Sequence, residues 1–435
     1  MTQRSSDNLI KHGSIMLAAT VIGGMAHYLY HVLMIRLLSP ADYGALYSLL
    51  ALFMIIGVPS GTVTVVITKY ISRYKAEDDE NRISLMFERS LKAIAVCGLA
   101  IFLLFAAGSG LIRDYLKIGS AFPVIMVGAA LTLAFVTTVP TGALQGLQRF
   151  LLIGVVGIGG AVGKVVVGSL CVLIGWGVTG ALSGIIFASG IGIAAGFIAL
   201  RHYFHYDRDA DISLNRKEIF GYFVPVAVAI FCYGFLTYYD ALIVKHHFDP
   251  AVAGYYSTCA LIGKAFLFPP AAFAAALFPK VSELHAAGKD PFPLLNKSLL
   301  ISTAALIAGA VFCTAVPRLI LDVLLHGKEI TYPYADLVTL MRVFGWMVIP
   351  YGLLNLIVYF NLAMHRNAFL YMLVGGGVLL IALLTMFHDT LLKVITIFGG
   401  VGYGLFLASC LVTYMKKGEN GEGVSGQDIY CDAGV

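Results

Sequence analysis

Long apolar runs separated by short polar segments extend along most of this chain. A helix that crosses a bilayer needs about 20 mainly apolar residues, and helices satisfy every backbone polar group in lipid. The runs predict twelve membrane helices, at 13–35, 43–67, 90–111, 121–144, 151–174, 179–200, 219–244, 254–278, 297–317, 335–360, 368–387 and 391–414. The polar, Gly-rich tail at 416–435 predicts disorder. The pattern therefore indicates an all-α polytopic membrane protein.

Composition narrows the possible functions. Of the 435 residues, 59% are hydrophobic and 12% are charged, whereas average soluble domains carry about 25% charged residues. These values exclude a soluble multi-domain enzyme, a disordered protein and a nucleic-acid binder. No P-loop, zinc-protease or Ser-His-Asp pattern is present, so we expect no catalytic residue, no metal site and no cofactor. On this basis the protein is not expected to be an enzyme.

Basic residues are concentrated on one side of the predicted spans. The loop between the fifth and sixth spans carries none. The segment between the second and third spans carries Lys69, Arg73, Lys75, Arg82, Arg89 and Lys92. Cytoplasmic loops carry the excess of Lys and Arg in membrane proteins. This asymmetry predicts a multi-pass protein of the cytoplasmic (inner) membrane with both termini in the cytoplasm.

The two halves of the chain repeat each other at an offset of 210 residues. The matched positions are Pro40 with Pro250, Gly44 with Gly254, Pro59 with Pro269, Pro140 with Pro350 and Gly142 with Gly352. Each half holds six predicted spans, so both halves enter the membrane from the same side and form a parallel repeat. We therefore predict two six-helix bundles, 1–205 and 219–415, joined by a cytoplasmic linker at 206–218. Substrate sites in such repeats lie between the halves.

Several motifs point to a known family. The run Arg36–Gly44 resembles the R-L-L-G-P-x-E-Y-G signature after the first span of polysaccharide biosynthesis proteins, the lipid-linked oligosaccharide flippases. The second half is similar to the same family in Asp240, Asp249-Pro250, Gly254-Tyr255-Tyr256 and Leu277–Lys280. The resemblance implies the multidrug/oligosaccharidyl-lipid/polysaccharide exporter fold, in which two bundles surround a cavity that opens to alternate sides. Many relatives have fourteen spans, and this chain departs from them with twelve predicted spans.

Two lysines lie deep in predicted spans. Lys164 and Lys264 are near the middle of the fifth and eighth spans. A charge at the bilayer centre costs about 2.5–3.5 kcal/mol on insertion scales, so it indicates a functional site by default. We expect both to face a cationic cavity that binds an anionic substrate. The alternative is an interhelical ion pair or a carbonyl contact that fixes packing.

Other charged residues are weaker candidates. Arg36 ends the first span on the predicted outer side. A long basic side chain at the end of a span can extend its charge into the interface, which is an alternative explanation for an arginine here. Lys69 lies at the inner end of the second span, where the excess of basic cytoplasmic residues already accounts for it. Both are nevertheless candidate substrate-binding residues.

A proton-sensitive pair is a further possibility. His27 and His31 share one face of the first span, and Asp240 lies in the seventh span, its repeat mate. His31 and Asp240 are therefore candidates for ion coupling. The alternative is that the histidines are ordinary interface residues and that Asp240 pairs with Lys245.

These features predict a flippase for a polyprenyl-diphosphate-linked oligosaccharide, the precursor of a cell-surface polysaccharide. Its expected partners are this substrate, membrane lipids and glycan-assembly proteins. A multidrug exporter of the same fold is the alternative, although cationic drugs favour acidic rather than basic cavities. A membrane glycan polymerase or ligase would need a catalytic outer loop, and the longest outer loop here, 318–334, is short and lacks a catalytic pattern.

Overall fold

The computed structural model describes residues 2–204, 216–366 and 368–422, and these residues form helices without any strand. The helices are α1 (Thr2–Leu37), α2 (Pro40–Gly57), α3 (Ser60–Ala76), α4 (Glu80–Tyr115), α5 (Phe122–Gly146), α6 (Phe150–Cys171), α7 (Gly177–Ala199), α8 (Arg216–His247), α9 (Pro250–Ala265), α10 (Phe268–Ala286), α11 (Phe292–Ala315), α12 (Pro317–Leu324), α13 (Tyr334–Met347), α14 (Ile349–Ala363), α15 (Ala368–Met386) and α16 (Leu391–Glu422). The all-α prediction is confirmed.

Each predicted span falls on one or two of these helices. In the described chain, nine helical stretches are long and apolar enough to cross a membrane, or ten if one bent pair is counted as a span. One of the nine, Phe150–Ala199, contains two predicted spans because α6 runs into α7 through a π-helical turn at Val172–Trp176. The count of twelve spans therefore stays a prediction.

Prolines divide corresponding spans of the two halves. Pro59 stands at the break between α2 and α3, and its repeat mate Pro269 stands at the start of α10, after a bend of 44° from α9. Proline lacks an N–H and clashes with the carbonyl four residues earlier, so it ends or kinks a helix. The repeat detected in the sequence thus marks the same break in both halves.

Glycines bring α6 and α7 close together. A Cβ placed on Gly184 of α7 would lie 2.4 Å from the Lys164 carbonyl oxygen, and one on Gly180 would lie 2.8 Å from the carbonyl carbon of Cys171. Small residues allow such close approach in membrane helices. The tight packing fixes the backbone that carries Lys164.

The described chain separates into two compact units. Unit 1 contains the described residues up to Leu261 together with Arg318–Thr339, and unit 2 contains Ile262–Pro317 and the described residues from Leu340 onwards. The helix α8 belongs to unit 1, where it packs against α2. This grouping differs from the predicted boundary, which assigned α8 and α9 to the second bundle, and the two six-helix bundles stay a prediction.

The predicted linker and tail are described only in part. Residues 206–215 of the linker lie outside the described residues, and α8 begins at Arg216. The helix α16 continues through Glu422, so the start of the segment predicted as disordered is helical. The remainder, 423–435, lies outside the described residues.

Each unit has its own apolar core. In unit 1, α3, α4 and α5 bury Ile71, Phe87 and Val139. In unit 2, α10 and α14 bury Leu277 and Phe360. Where helices face water, burial of apolar side chains is the main contribution that stabilises their packing. Where they face lipid, close van der Waals packing between helices contributes most.

Candidate functional site

Lys164 has two partners on α1. Its Nζ lies 3.2 Å from Nδ1 of His27 and 4.8 Å from the centroid of the Tyr30 ring. Gly168, one turn further along α6, leaves room for this ring, since a Cβ there would lie 3.0 Å from Tyr30 Cε2. An ammonium group is attracted to the face of an aromatic ring. The predicted deep lysine is therefore held against α1 by a histidine and a tyrosine that sequence analysis had not linked to it.

The contacts of Lys164 continue into a buried polar cluster. His31 is 4% exposed, its ring lies 4.9 Å from that of His27, and its Nδ1 lies 3.3 Å from the Tyr43 hydroxyl. The Tyr30 hydroxyl donates to the carbonyl of Ala181. We call the residues Lys164, His27, Tyr30, His31 and Tyr43 the α1 cluster. It places one ammonium group beside two imidazole rings and two phenol hydroxyls.

Asp240 lies close to this cluster on α8. It is fully buried and accepts a hydrogen bond from the Tyr256 hydroxyl at 2.8 Å. Among the described residues, His31 and Asp240 share no direct hydrogen bond. Tyr47 is a neighbour of both, because the centroid of its ring is 6.2 Å from that of the His31 ring and it interacts electrostatically with Asp240. Whether His31 and Asp240 act as a pair stays a prediction.

Lys245, the alternative partner predicted for Asp240, does not pair with it in the described residues. The ammonium group of Lys245 lies 3.5 Å from the Ala41 carbonyl oxygen, and it forms no ion pair with Asp240 among the described residues. Tyr256, which follows Gly254 in the family-like motif, is the partner that sequence analysis missed. The adjacent aromatic residues Tyr255-Tyr256 were the available signal.

Lys264 is buried in unit 2. It is 7% exposed, and its Nζ lies 5.4 Å from the centroid of the Phe398 ring on α16. Lys164 belongs to unit 1, so the two lysines are held by separate sets of helices. A shared cavity stays a prediction.

The two remaining candidates are exposed. Arg36 donates from Nη2 to the carbonyl of Val323 at 2.9 Å, near the end of α12. A cation is favourable at a helix C-terminus, so this contact fastens α12 to the end of α1. Lys69 is exposed on α3 and lies 5.8 Å from the centroid of the neighbouring Tyr70 ring.

Comparison with known proteins identifies the family. The sequence pattern of the polysaccharide biosynthesis protein family matches residues 9–285, which is more than half of the chain. The chain therefore belongs to this family. A comparison with curated proteins gives no significant match.

Solved structures establish the fold. A multidrug resistance MATE family transporter of the MOP superfamily, in an inward-facing conformation, has a TM-score of 0.77 at 13% identity, covering 94% of this chain and 100% of its own. The lipid II flippase MurJ, in an inward closed conformation, has a TM-score of 0.67 at 14% identity, covering 93% and 87%. A MOP superfamily transporter from Pyrococcus furiosus, reported with a binding pocket of reverse polarity, has a TM-score of 0.59 at 14% identity, covering 93% and 95%. The chain has the MOP transporter fold, and these similar structures are transporters and a flippase.

The described residues hold no group of three or more histidine, cysteine or acidic side chains arranged to bind a metal ion. The candidate site is instead a cation among hydroxyl and imidazole groups.

Proposed function

We propose that this protein transports a polyprenyl-diphosphate-linked oligosaccharide, a precursor of cell-surface polysaccharide, across the cytoplasmic membrane by alternating access. The observation that carries the proposal is the α1 cluster, in which Lys164 lies inside a helical bundle beside His27 and over Tyr30. Membership of the polysaccharide biosynthesis protein family supports the same substrate class. In this account both termini lie in the cytoplasm.

The chemistry of the cluster fits such a substrate. A diphosphate carries negative charge that an ammonium group attracts strongly in a medium of low dielectric. Hydroxyl and imidazole groups donate and accept hydrogen bonds in the pattern that sugar hydroxyls need. Lys164 therefore binds the diphosphate and His27 contacts the sugars, while the buried His31 and Tyr43 hydrogen-bond to each other next to them.

Three other basic residues complete the proposed path. Lys264 supplies a second buried cation in unit 2. The exposed Arg36 and Lys69 attract the anionic lipid at the two ends of the path. Membrane lipids surround the polyprenyl chain, and glycan-assembly proteins are the proposed protein partners. The chain performs no covalent chemistry in this account, so it is not an enzyme.

Ion coupling is assigned to His31 and Asp240. Both are buried, and Tyr47 is a neighbour of both. Protonation of either group changes the charge of a buried network whose members come from α1, α2 and α8. Such a change biases the packing of the three helices, which is what coupling transport to a proton gradient requires.

A multidrug exporter is the second candidate, because MATE family transporters share the fold. The sign of the buried charges opposes it, since Lys164 and Lys264 repel cationic compounds. The Pyrococcus transporter with a pocket of reverse polarity supports the view that one fold accommodates either sign of pocket charge.

Loss of the gene tests the proposal in cells. Without the transporter, the lipid-linked oligosaccharide should accumulate on the cytoplasmic leaflet, and the wild-type gene should clear it. Restoration by the wild-type gene but not by Lys164→Ala, at matched membrane levels, supports the assignment. Normal glycan export in the deleted strain, together with sensitivity to cationic drugs, would instead favour the multidrug exporter.

A further inference from the structure

A cavity lies in unit 1 beside the first turn of α2, where Asp42 and Ala45 line it on either side of Tyr43 of the α1 cluster. Its volume is about 360 Å³, and its lining includes Asp42, Pro123, Val178 and Pro250. Each of these residues lies in the first turn of a different helix: α2, α5, α7 and α9. The four helices thus begin around one cavity, at the end of unit 1 that the basic-residue asymmetry predicts to be extracytoplasmic.

The sequence explains why four helices begin there. Proline is the first residue of α2 and of α9 and the second residue of α5, positions where its missing N–H has no helical partner to lose. Gly177 has a φ of +52°, a conformation that glycine adopts without strain, and it starts α7. Each helix N-terminus carries the equivalent of about half a positive charge and attracts anions.

Two lysines line the same cavity. The side chain of Lys245 is 2% exposed, and its single hydrogen bond among the described residues is the 3.5 Å contact to the Ala41 carbonyl. An ammonium group has three donors, so most of its hydrogen-bonding capacity is unused. Lys117, in the turn between α4 and α5, adds a second cation.

The remaining polar groups of the lining act in both directions. Asp42 opposes an anion and interacts electrostatically with Lys245, and it accepts a hydrogen bond from the Ser39 hydroxyl at 2.7 Å. The Ser120 hydroxyl accepts from the Phe122 N–H, which leaves its own proton available to a ligand. Trp176 is 57% exposed at the cavity. Tryptophan is enriched where membrane proteins meet the lipid headgroups.

We propose that this cavity binds a phosphate group of a membrane-anchored phosphate ester at the extracytoplasmic end of the protein. The volume lies in the range of small-molecule sites, and the two lysines with four helix N-termini supply the positive potential. The phosphate comes either from the polyprenyl carrier after it has crossed the membrane or from a phospholipid headgroup. The polyprenyl source rests on the proposed transport function, whereas binding of a phospholipid headgroup does not, because no residue of the α1 cluster lines the cavity.

The chain contains two tryptophans, which allows a direct test. Replacing Trp346 by phenylalanine leaves Trp176 as the only tryptophan, so its fluorescence reports on the cavity. The purified full-length Trp346→Phe protein is titrated in detergent with a short-chain polyprenyl diphosphate, with phosphatidylglycerol and with inorganic pyrophosphate. A saturable fluorescence change is expected with at least one of the two lipids. Tighter binding of the polyprenyl diphosphate assigns the site to the carrier, and tighter binding of phosphatidylglycerol assigns it to a phospholipid.

Variants then establish which groups bind the phosphate. Each variant removes a charged donor, so Lys117→Gln and Lys245→Gln should each weaken lipid binding by about tenfold or more. Asp42→Asn keeps the size of the side chain, removes the opposing charge and should tighten binding. Lys393→Gln is the matched control, because Lys393 lies on α16 and pairs with Asp389. Lys117 is exposed in the turn between α4 and α5, so its variant separates loss of binding from misfolding.

Two results would overturn the site. One is the absence of any saturable signal with both lipids. The other is unchanged affinity in Lys117→Gln and Asp42→Asn. The Lys164→Ala variant separates this inference from the proposed transport function, since it should lose transport while retaining the Trp176 response. A protein that transports normally but shows no response at Trp176 would refute only the outer phosphate site.

Discussion

Gly44 and Gly254 lie in backbone contact in unit 1, although they are 210 residues apart in the chain. A Cβ on Gly254 would lie 1.8 Å from the Pro40 carbonyl oxygen, and a Cβ on Gly44 would lie 2.8 Å from the Gly254 nitrogen. These glycines are matched by the internal repeat. The starts of α2 and α9 therefore meet at equivalent positions of the two halves, next to the phosphate cavity.

Adding one methyl group at this contact should be costly. We expect Gly254→Ala to lower the free energy of unfolding by about 1–3 kcal/mol, because the new Cβ has only backbone to displace. The midpoint of thermal aggregation, measured by fluorescence-detected size exclusion, reports the change.

Gly108→Ala is the control for that substitution, since Gly108 lies within α4 and a Cβ there has open space around it. Alanine is the better helix former by about 0.5–1 kcal/mol, so this variant should be as stable as the parent or more stable. Equal stability of Gly254→Ala and Gly108→Ala would contradict the close contact of α2 with α9.

The deep lysines are predicted to act through their charge. Lys164→Ala and Lys164→Gln should abolish or sharply reduce transport at normal membrane levels, and Lys164→Arg should retain part of it. Arginine keeps the charge but replaces a compact ammonium group by a planar fork. Glycan export in a complementation assay, with expression matched by immunoblot, measures the effect.

The second deep lysine extends this prediction. Lys264→Ala should reduce transport in the same way, and the double variant should lose less than the product of the single losses if both lysines contact one diphosphate. Full activity of the double variant would show that neither lysine is needed to bind the substrate.

Asp240 is predicted to couple transport to protons. Asp240→Asn keeps the hydrogen bond from Tyr256 but removes the titratable group, so transport should continue only down the substrate gradient and should no longer respond to an imposed pH difference. Tyr256→Phe, which removes the hydroxyl but leaves the carboxyl group, should keep the response at a reduced rate. Transport by Asp240→Asn that still follows the pH gradient would exclude this residue from coupling.

The predicted sidedness is open to chemical labelling. In a cysteine-free background, a cysteine at Gly119 should react with a membrane-impermeant maleimide added to intact cells. A cysteine at Lys289 should react only after permeabilisation. Both native residues are exposed, so access is decided by the side of the membrane. The opposite pattern would invert the topology.

Hydrophobic patterning was sufficient to predict an all-α membrane protein, because bilayer thickness fixes the length of each apolar run. The repeat also located the breaks at Pro59 and Pro269, since proline acts on its own backbone. The pattern of hydrophobic and polar residues could not predict that His27 and Tyr30 contact Lys164, or that the Tyr256 hydroxyl donates to Asp240. Those contacts depend on how helices distant in sequence rotate against each other, which glycines such as Gly168 and Gly184 determine through packing.

Translocation in proteoliposomes tests the central claim most directly. The purified protein is reconstituted with a polyprenyl-diphosphate-linked oligosaccharide, and exposure of the glycan on the outer leaflet is followed with an added glycosidase. The account predicts protein-dependent exposure that is lost with Lys164→Ala and retained with Lys393→Gln. No exposure above protein-free vesicles, together with uptake or export of a cationic dye by the same vesicles, would contradict it.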